Sequence, residues 1–166
     1  MATTKKPDLS AKRASAEQRS GKRVAARTRA RQARATDDER YALALESIDH
    51  GVYDWDIINN TVYYSPLLRS IFGMTDDQAL TPEESGGRIH PEDIPQYRKA
   101  IVDHLKGAIP HLLIEYRYLS NEDTWRWARQ SGIAQRGPGG HAIRMVGATS
   151  DITDTKQREA ELAAAR

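Results

Sequence analysis

Hydrophobic and polar residues alternate along five segments of this chain, which is the pattern of β-strands that are buried on one face. The first two segments, residues 52–57 and 61–65, are separated by the turn sequence Asn59-Asn60 and predict a β-hairpin. On the buried face of its first strand we expect Tyr53, Trp55 and Ile57. Asp54 and Asp56 then point to the opposite, solvated face.

Three further alternating segments follow in the second half of the chain. The first places four large residues on one face: Leu112, Ile114, Tyr116 and Tyr118. The second alternates through Trp125, Trp127, Arg129, Ser131 and Ile133, and we expect Trp127 to point into the core. The third spans residues 142–150, and it follows Gly137-Pro138-Gly139-Gly140, a turn sequence.

Helical patterns separate and flank these strands. Thr36 can cap a helix with Glu39 as its capping-box partner, and that helix should end near Gly51. A short helix begins at Ser65-Pro66, and a longer one follows His90-Pro91-Glu92-Asp93, with four residues expected to be buried: Tyr97, Ile101, Val102 and Leu105. Helices segregated to one face of an antiparallel sheet define an α+β fold.

Charge divides the chain unevenly. Residues 1–36 carry eleven Lys and Arg against Asp8 and Glu17, a net charge of +9, whereas residues 37–166 carry −7. Because the first segment has almost no large apolar residue, we interpret it as a disordered or partly helical tail. We expect domain boundaries at 1–36, 37–152 and 153–166, the last being an outgoing linker helix.

Several motifs, taken together in order, resemble a PAS domain of the Trp-rich subgroup with a PAC-type carboxy-terminal motif. They are Gly51-Val52-Tyr53-Asp54-Trp55-Asp56, Tyr64-Ser65-Pro66, Ile89-His90-Pro91-Glu92-Asp93, Glu115-Tyr116-Arg117, Trp125-Arg126-Trp127, Gly147 and Asp151-Ile152-Thr153 with Lys156 and Glu159. The resemblance implies a five-stranded antiparallel sheet in the spatial order 2-1-5-4-3. It also implies a sensory or dimerising role, usually inside bacterial histidine kinases, nucleotide cyclases or cyclic-di-GMP enzymes.

Three functions remain open at this point. The first is a cytoplasmic sensor and dimerisation module that passes a signal through its flanking helices to an output domain or partner protein. The second is the input fragment of a histidine kinase, nucleotide cyclase or diguanylate cyclase whose catalysis lies outside this chain. The third is a ligand-free adaptor whose basic arm binds nucleic acid or an anionic surface. No apolar run is long enough to span a membrane.

Little in the sequence specifies a cofactor or a reaction. The absence of cysteine excludes thiolate metal sites and cysteine–flavin adducts. His104 is the one histidine placed where some haem-binding PAS domains carry an axial ligand, but we interpret it as a surface residue near a helix end. We therefore expect no catalytic residue, no metal, no haem and no flavin, although a small-molecule ligand is compatible with the chain.

Three groups of residues follow from this interpretation. A pocket between the long helix and the sheet would be lined by Trp55, Tyr64, Leu68, Ile71, Ile101, Leu105, Ile114, Tyr116, Trp127 and Met145. The same side chains would otherwise fill a small core. The dimer interface is predicted at Tyr41, Leu45 and Ile48, and signal transmission at Asp151, Ile152 and Thr153, where Thr153 is expected to cap the last helix.

Overall fold

The computed structural model describes residues 9–74 and 81–166. It contains five helices and five strands within these residues. The helices are α1 (Leu9–Ser47), α2 (Pro66–Phe72), α3 (Pro82–Gly86), α4 (Ile94–Leu105) and α5 (Thr153–Ala164). The strands are β1 (Gly51–Asp56), β2 (Thr61–Tyr64), β3 (Leu112–Leu119), β4 (Trp125–Arg136) and β5 (Ala142–Asp151).

The strands form one antiparallel sheet in the order β2-β1-β5-β4-β3, which confirms the predicted α+β fold and strand order. Its inner face carries the core, together with residues of α2. The main members of this core are Tyr53, Val62, Tyr64, Leu68, Phe72, Leu112, Ile114, Tyr116, Tyr118, Ala128 and Met145. The outward positions of the same strands mix polar and charged side chains with exposed apolar ones, among them Tyr63, Leu113, Trp125 and Ile133.

The helix boundaries follow from local capping chemistry. The Ser65 hydroxyl accepts the Leu68 N–H at 3.3 Å before α2, and Gly73 ends that helix in the left-handed conformation. Thr81 and Glu84 form a capping box at α3. Asp93 precedes α4 without capping it, because its carboxylate binds Arg117 of β3 instead.

Helix α1 differs from the prediction at Thr36. The helix does not begin there but runs continuously across the change in composition, and the Thr36 hydroxyl donates to the Gln32 carbonyl at 3.0 Å. This bond to the preceding turn satisfies the hydroxyl inside a helix, so Thr36 has no capping role.

The chain divides into two units, Met1–Ala44 and Leu45–Arg166. The first eight residues of the predicted tail lie outside the described residues.

The structure also corrects the prediction of which residues of β4 face the core. Ala128, Gln130 and Gly132 point toward the core, whereas Trp127 lies on the outer face. The predicted alternation was right but its phase was wrong. The physical reason lies in Tyr53 of β1, whose hydroxyl approaches so closely that a Cβ at Gly132 would clash with it. The residue at position 132 must therefore be small, on the face where bulky side chains were expected.

Candidate functional site

A cavity of about 500 Å³ lies between the inner face of the sheet and helices α3 and α4. This volume falls in the range of small-molecule sites in proteins. Most of its wall is apolar or aromatic, and the sheet residues are buried except Trp55, which is partly buried. The lining comprises Tyr53, Trp55, Val62, Tyr64, Phe72, Pro82, Glu83, Gly86, Gly87, Arg88, Ile89, Ile94, Tyr97, Arg98, Ile101, Val102, Tyr116, Tyr118, Gln130, Met145 and Thr149.

The cavity brings together half of the residues predicted to form a pocket. Those that line it are Trp55, Tyr64, Ile101, Tyr116 and Met145. Four others belong to the core or pack against it without lining the cavity: Leu68, Ile71, Leu105 and Ile114. Trp127, on the opposite face of the sheet, contributes nothing to this wall. Val102 was predicted to be buried but is 43% exposed while touching the edge of the cavity.

The polar centre of the cavity is Gln130, which the sequence analysis missed. Its side-chain oxygen accepts hydrogen bonds from the Tyr116 hydroxyl at 3.1 Å and from the Tyr97 hydroxyl at 3.4 Å. Beside it, the Tyr53 hydroxyl donates to the Ser131 carbonyl at 2.7 Å. A polar residue between Ala128 and Gly132 was the available signal, because small side chains on one face of a strand leave space above them.

Burial shifts the ionisation of these phenols. Desolvation raises the pKa of Tyr97, Tyr116 and Tyr53, and for Tyr53 a hydrogen bond from Gln130 opposes part of that rise. The phenols therefore remain neutral near pH 7 and keep their hydroxyl protons. The wall of the cavity thus presents neutral hydrogen-bonding groups within an apolar surface.

His104 is not a surface residue, and that prediction was wrong. It is only 2% exposed, and its two ring nitrogens join α4 to β4 and to the segment that follows α4. Nδ1 lies 3.0 Å from the Ile109 carbonyl, and Nε2 accepts the Ala134 N–H at 3.0 Å. Because both nitrogens have main-chain partners, His104 is a structural link. Within residues 9–74 and 81–166, no cluster of three or more metal-ligating side chains occurs.

The junction between β5 and α5 is built around Asp151. Its carboxylate accepts from the Tyr118 hydroxyl at 2.8 Å, from Arg126 Nε at 2.6 Å and from the Thr153 N–H at 2.8 Å. Burial by itself raises the pKa of Asp151, but these hydrogen bonds outweigh it and hold the pKa below its usual value.

Thr153 does not cap α5, contrary to the prediction, because it is the first residue of the helix. Its hydroxyl instead accepts the Trp127 N–H at 2.9 Å and donates to Asp151 at 2.5 Å. The neighbouring Ile152 is buried, and its N–H donates to the Trp127 carbonyl at 2.9 Å. All three residues predicted for signal transmission therefore lie at one hydrogen-bonded junction between the sheet and α5.

Trp127 belongs to a charged cluster on the outer face of the sheet. The Lys156 ammonium lies 5.3 Å and the Arg117 guanidinium 5.7 Å from the centre of its indole ring. Lys156 also pairs with Glu115 at 2.5 Å, and hydrogen bonds from Lys156 and then Arg129 lower the pKa of Glu115. This cluster ties α5 to β3 and β4. Of the predicted dimer residues, Tyr41 and Ile48 are exposed and Leu45 is partly exposed.

An antiparallel sheet in this order, with α2, α3 and α4 over its inner face and a cavity beneath them, is an α+β architecture with a built-in site for a small molecule. Residues 61–149, more than half of the chain, match the model of the PAS_3 family, described as the PAS fold. The chain therefore belongs to the PAS family. None of the described helices has the length and apolar character needed to cross a membrane.

Comparison with individual proteins gives the same family. A sensory box histidine kinase/response regulator from Burkholderia thailandensis E264 has a solved structure that is 30% identical, with a TM-score of 0.68, covering 76% of this chain and 95% of that one. The amino-terminal domain of a diguanylate cyclase with PAS/PAC sensor from Marinobacter aquaeolei is 18% identical, with a TM-score of 0.58 over 64% of this chain and 98% of that one, which shows the fold alone.

One curated relative is also similar to this chain. The Non-motile and phage-resistance protein of Caulobacter vibrioides is 26% identical over 133 residues, which cover 77% of this chain. The chain spans only 15% of the length of that relative.

Proposed function

We propose that this PAS domain is a sensory and dimerisation module of bacterial signal transduction that converts occupancy of its cavity into a change at helix α5. The observation that carries the proposal is the position of Tyr118. Its ring lines the cavity, and its hydroxyl binds Asp151, which in turn binds Thr153 at the start of α5. A side chain that moves when the cavity fills would therefore alter the hydrogen bonds that begin this helix.

The energies involved suit a reversible switch. Losing the acceptor of a buried hydroxyl costs about 1–3 kcal/mol, which corresponds to roughly a 5- to 150-fold change in a two-state equilibrium. Such a change can shift the start of α5 without unfolding the domain. The downstream element would be an output domain or a separate signalling protein, as in the kinase and cyclase relatives, with catalysis located there.

Hydrogen exchange at the amides of α5 tests the transmission. Ile101→Phe should partly fill the cavity, and we expect it to change exchange at the Lys156 amide, which donates to the Ile152 carbonyl. In a Tyr118→Phe background this response should disappear, because the bond to Asp151 is missing. Tyr63→Phe, at an exposed position of β2, is the matched control and should leave the response intact. An equal response in all three backgrounds would refute the proposed route.

Dimerisation is tested separately by sedimentation velocity. The exposed apolar residues Tyr41 and Ile48 and the partly exposed Leu45 support a contact with a second chain. We expect a dimer that Leu45→Glu weakens, because burying a carboxylate in an apolar interface is unfavourable. Leu162→Glu, an exposed apolar site on α5, is the matched control. A monomer at high concentration for the unmodified chain would exclude this part of the proposal.

A second candidate function is supported by the charge of α1. Four exposed arginines repeat at intervals of four and therefore share one face of the helix: Arg19, Arg23, Arg27 and Arg31. In the part of the chain that the structure describes, none of them forms an ion pair with an acidic side chain. The opposite face of the same segment lacks the row of large apolar residues that a membrane-surface helix inserts, since Val24 is the one such residue between Arg19 and Arg31. We infer that the arginine face binds the phosphate backbone of duplex DNA.

Fluorescence anisotropy with a labelled DNA duplex tests this second function. Replacing the four arginines by glutamine should reduce the slope of log affinity against log salt by about 3–4, since each phosphate contact contributes about 0.9. Arg98→Gln, at an exposed arginine of the PAS domain, controls for the loss of one positive charge away from this face and should leave the slope unchanged. Binding to anionic vesicles but not to DNA would replace this function by the membrane alternative.

A further inference from the structure

The chemistry of the cavity wall restricts the class of ligand that it can accept, and this inference rests on the proposed sensory function. The restriction comes from where polar and charged groups are placed around the cavity. The inner wall is formed by the sheet, and the outer edge by α3 and α4. The inner wall carries neutral polar groups, whereas the outer edge carries the charged side chains.

Among the described residues of the inner wall, one pair of polar side chains lies beside the tyrosine hydroxyls within an otherwise apolar surface. Gln130 of β4 and Thr149 of β5 are direct partners across the two strands, and they are 5% and 1% exposed. Both side chains line the cavity. The same cavity is lined by aromatic and aliphatic side chains, among them Phe72, Ile101 and Met145.

The two members of this pair have unused hydrogen-bonding capacity. The Gln130 oxygen is already occupied by the Tyr97 and Tyr116 hydroxyls, and its side chain also hydrogen-bonds Tyr53, so one of its two amide hydrogens remains for a ligand. The Thr149 hydroxyl makes no hydrogen bond with any residue that the structure describes. Because both residues line the cavity, a ligand that supplies an acceptor here can bind these donors and gain affinity.

Charged side chains are confined to the outer part of the cavity. In the described lining they are Glu83, Arg88 and Arg98, on α3, the segment after it and α4. Arg88 is already engaged, because it donates to the Phe72 and Leu119 carbonyls at 2.9 and 3.3 Å. A ligand charge placed at the inner wall would therefore be buried without an opposite charge, which is strongly unfavourable.

We propose that the cavity binds an uncharged molecule with an aromatic or aliphatic body and a carbonyl or hydroxyl oxygen, and that this oxygen accepts hydrogen bonds from the Gln130 amide and the Thr149 hydroxyl. The apolar body occupies the space beneath α4. Specificity in this arrangement comes from the polar pair, since an apolar wall discriminates poorly between bodies of similar shape.

Three naphthalene derivatives of similar shape test the proposal by calorimetric titration of the 166-residue chain. We expect 2-acetylnaphthalene, which has a neutral acceptor, to bind most tightly. The apolar 2-isopropylnaphthalene should bind about 5- to 10-fold more weakly, because it leaves the polar pair unmatched. The anionic 2-naphthoate should bind more than tenfold more weakly than the ketone.

Two matched variants identify the polar pair as the cause. Thr149→Val should weaken binding of 2-acetylnaphthalene about fivefold and leave 2-isopropylnaphthalene unchanged. Thr61→Val makes the same substitution on the outer face of β2 and should affect neither probe. Equal binding of the ketone and the hydrocarbon would overturn the role of the pair, and so would an unchanged ketone affinity in Thr149→Val.

The remaining outcomes separate this inference from the proposed function. Tightest binding of 2-naphthoate would overturn the neutral ligand class but leave a sensory cavity in place. Failure of all three probes to bind would also overturn the inference. The proposed function is judged independently, by whether filling the cavity with Ile101→Phe alters exchange in α5.

Discussion

Replacing Asp151 by alanine should destabilise the domain more than any other single carboxylate substitution at the sheet–helix junction. The carboxylate accepts hydrogen bonds from three residues on three elements: Tyr118 on β3, Arg126 on β4 and Thr153 on α5. No water molecule can fully replace it for Tyr118, which is only 1% exposed. The substitution therefore leaves at least one buried donor without an acceptor.

The magnitude can be estimated from the three partners. The unpaired Tyr118 hydroxyl should cost about 1–3 kcal/mol. The ion pair with Arg126, whose side chain is 40% exposed, should contribute less than about 1 kcal/mol. The bond to the Thr153 N–H resembles a helix cap and contributes about 1 kcal/mol. Because the interactions share one carboxylate they are not additive, and we expect a total loss of about 2–4 kcal/mol.

The pH dependence of this loss has a definite sign. The folded-state pKa of Asp151 is lowered, so its contribution to stability is fully present above the unfolded-chain value of about 3.9. That contribution is lost as the pH falls from there through the lower pKa of the folded state. The stability difference between the unmodified chain and Asp151→Ala should therefore be constant from pH 5 to 7 and decrease below about pH 4.

Urea denaturation at several pH values measures both quantities. Asp154→Ala is the control, because Asp154 is an exposed aspartate on the same helix and should change stability by less than about 1 kcal/mol. If Asp151→Ala is no more destabilising than this control at pH 7, the junction does not hold α5 to the sheet. A difference that grows on acidification would contradict the assigned direction of the pKa shift.

Other substitutions probe the corrected parts of the fold, each by denaturant titration. His104→Ala should lower the free energy of unfolding by about 2–4 kcal/mol, because the Ile109 carbonyl and the Ala134 N–H lose their imidazole partner. His111→Ala, at an exposed site, should change it by no more than about 0.5 kcal/mol. Trp55→Ala should cost about 3–5 kcal/mol and Trp127→Ala only about 1–2; equal costs would place Trp127 in the core after all. Gly132→Ala should cost about 1–3 kcal/mol by displacing a tyrosine hydroxyl, and an unchanged midpoint would exclude that close approach.

The sequence by itself determined how many strands the chain has and where along the chain each one lies. Alternation in β1 and β3 is produced by large residues such as Tyr53, Ile114, Tyr116 and Tyr118, so their period and their phase were both readable. Turn residues such as Gly139 and Gly140, which adopt positive φ values of 90° and 84°, marked where strands end. The strand order came from the resemblance to a family, since alternation alone does not say which strands pair.

Only the tertiary structure decided which face of β4 is buried. Alternation fixes a period of two but not its phase, and on β4 the large residues lie outside because the hydroxyl of Tyr53 occupies the space above Gly132. For the same reason Gln130 was missed, although it organises the polar part of the cavity.

Contacts between residues distant in the chain decided the structural roles of His104 and Asp151. His104 is buried because Ala134, thirty residues away, offers its N–H, and Asp151 organises α5 because Tyr118 and Arg126 reach it from neighbouring strands. Local patterns carry the preferences of adjacent residues, such as periodicity, turns and caps. A side chain's hydrogen-bond partner from another strand is set by how the strands pack, and that information appears only in three dimensions.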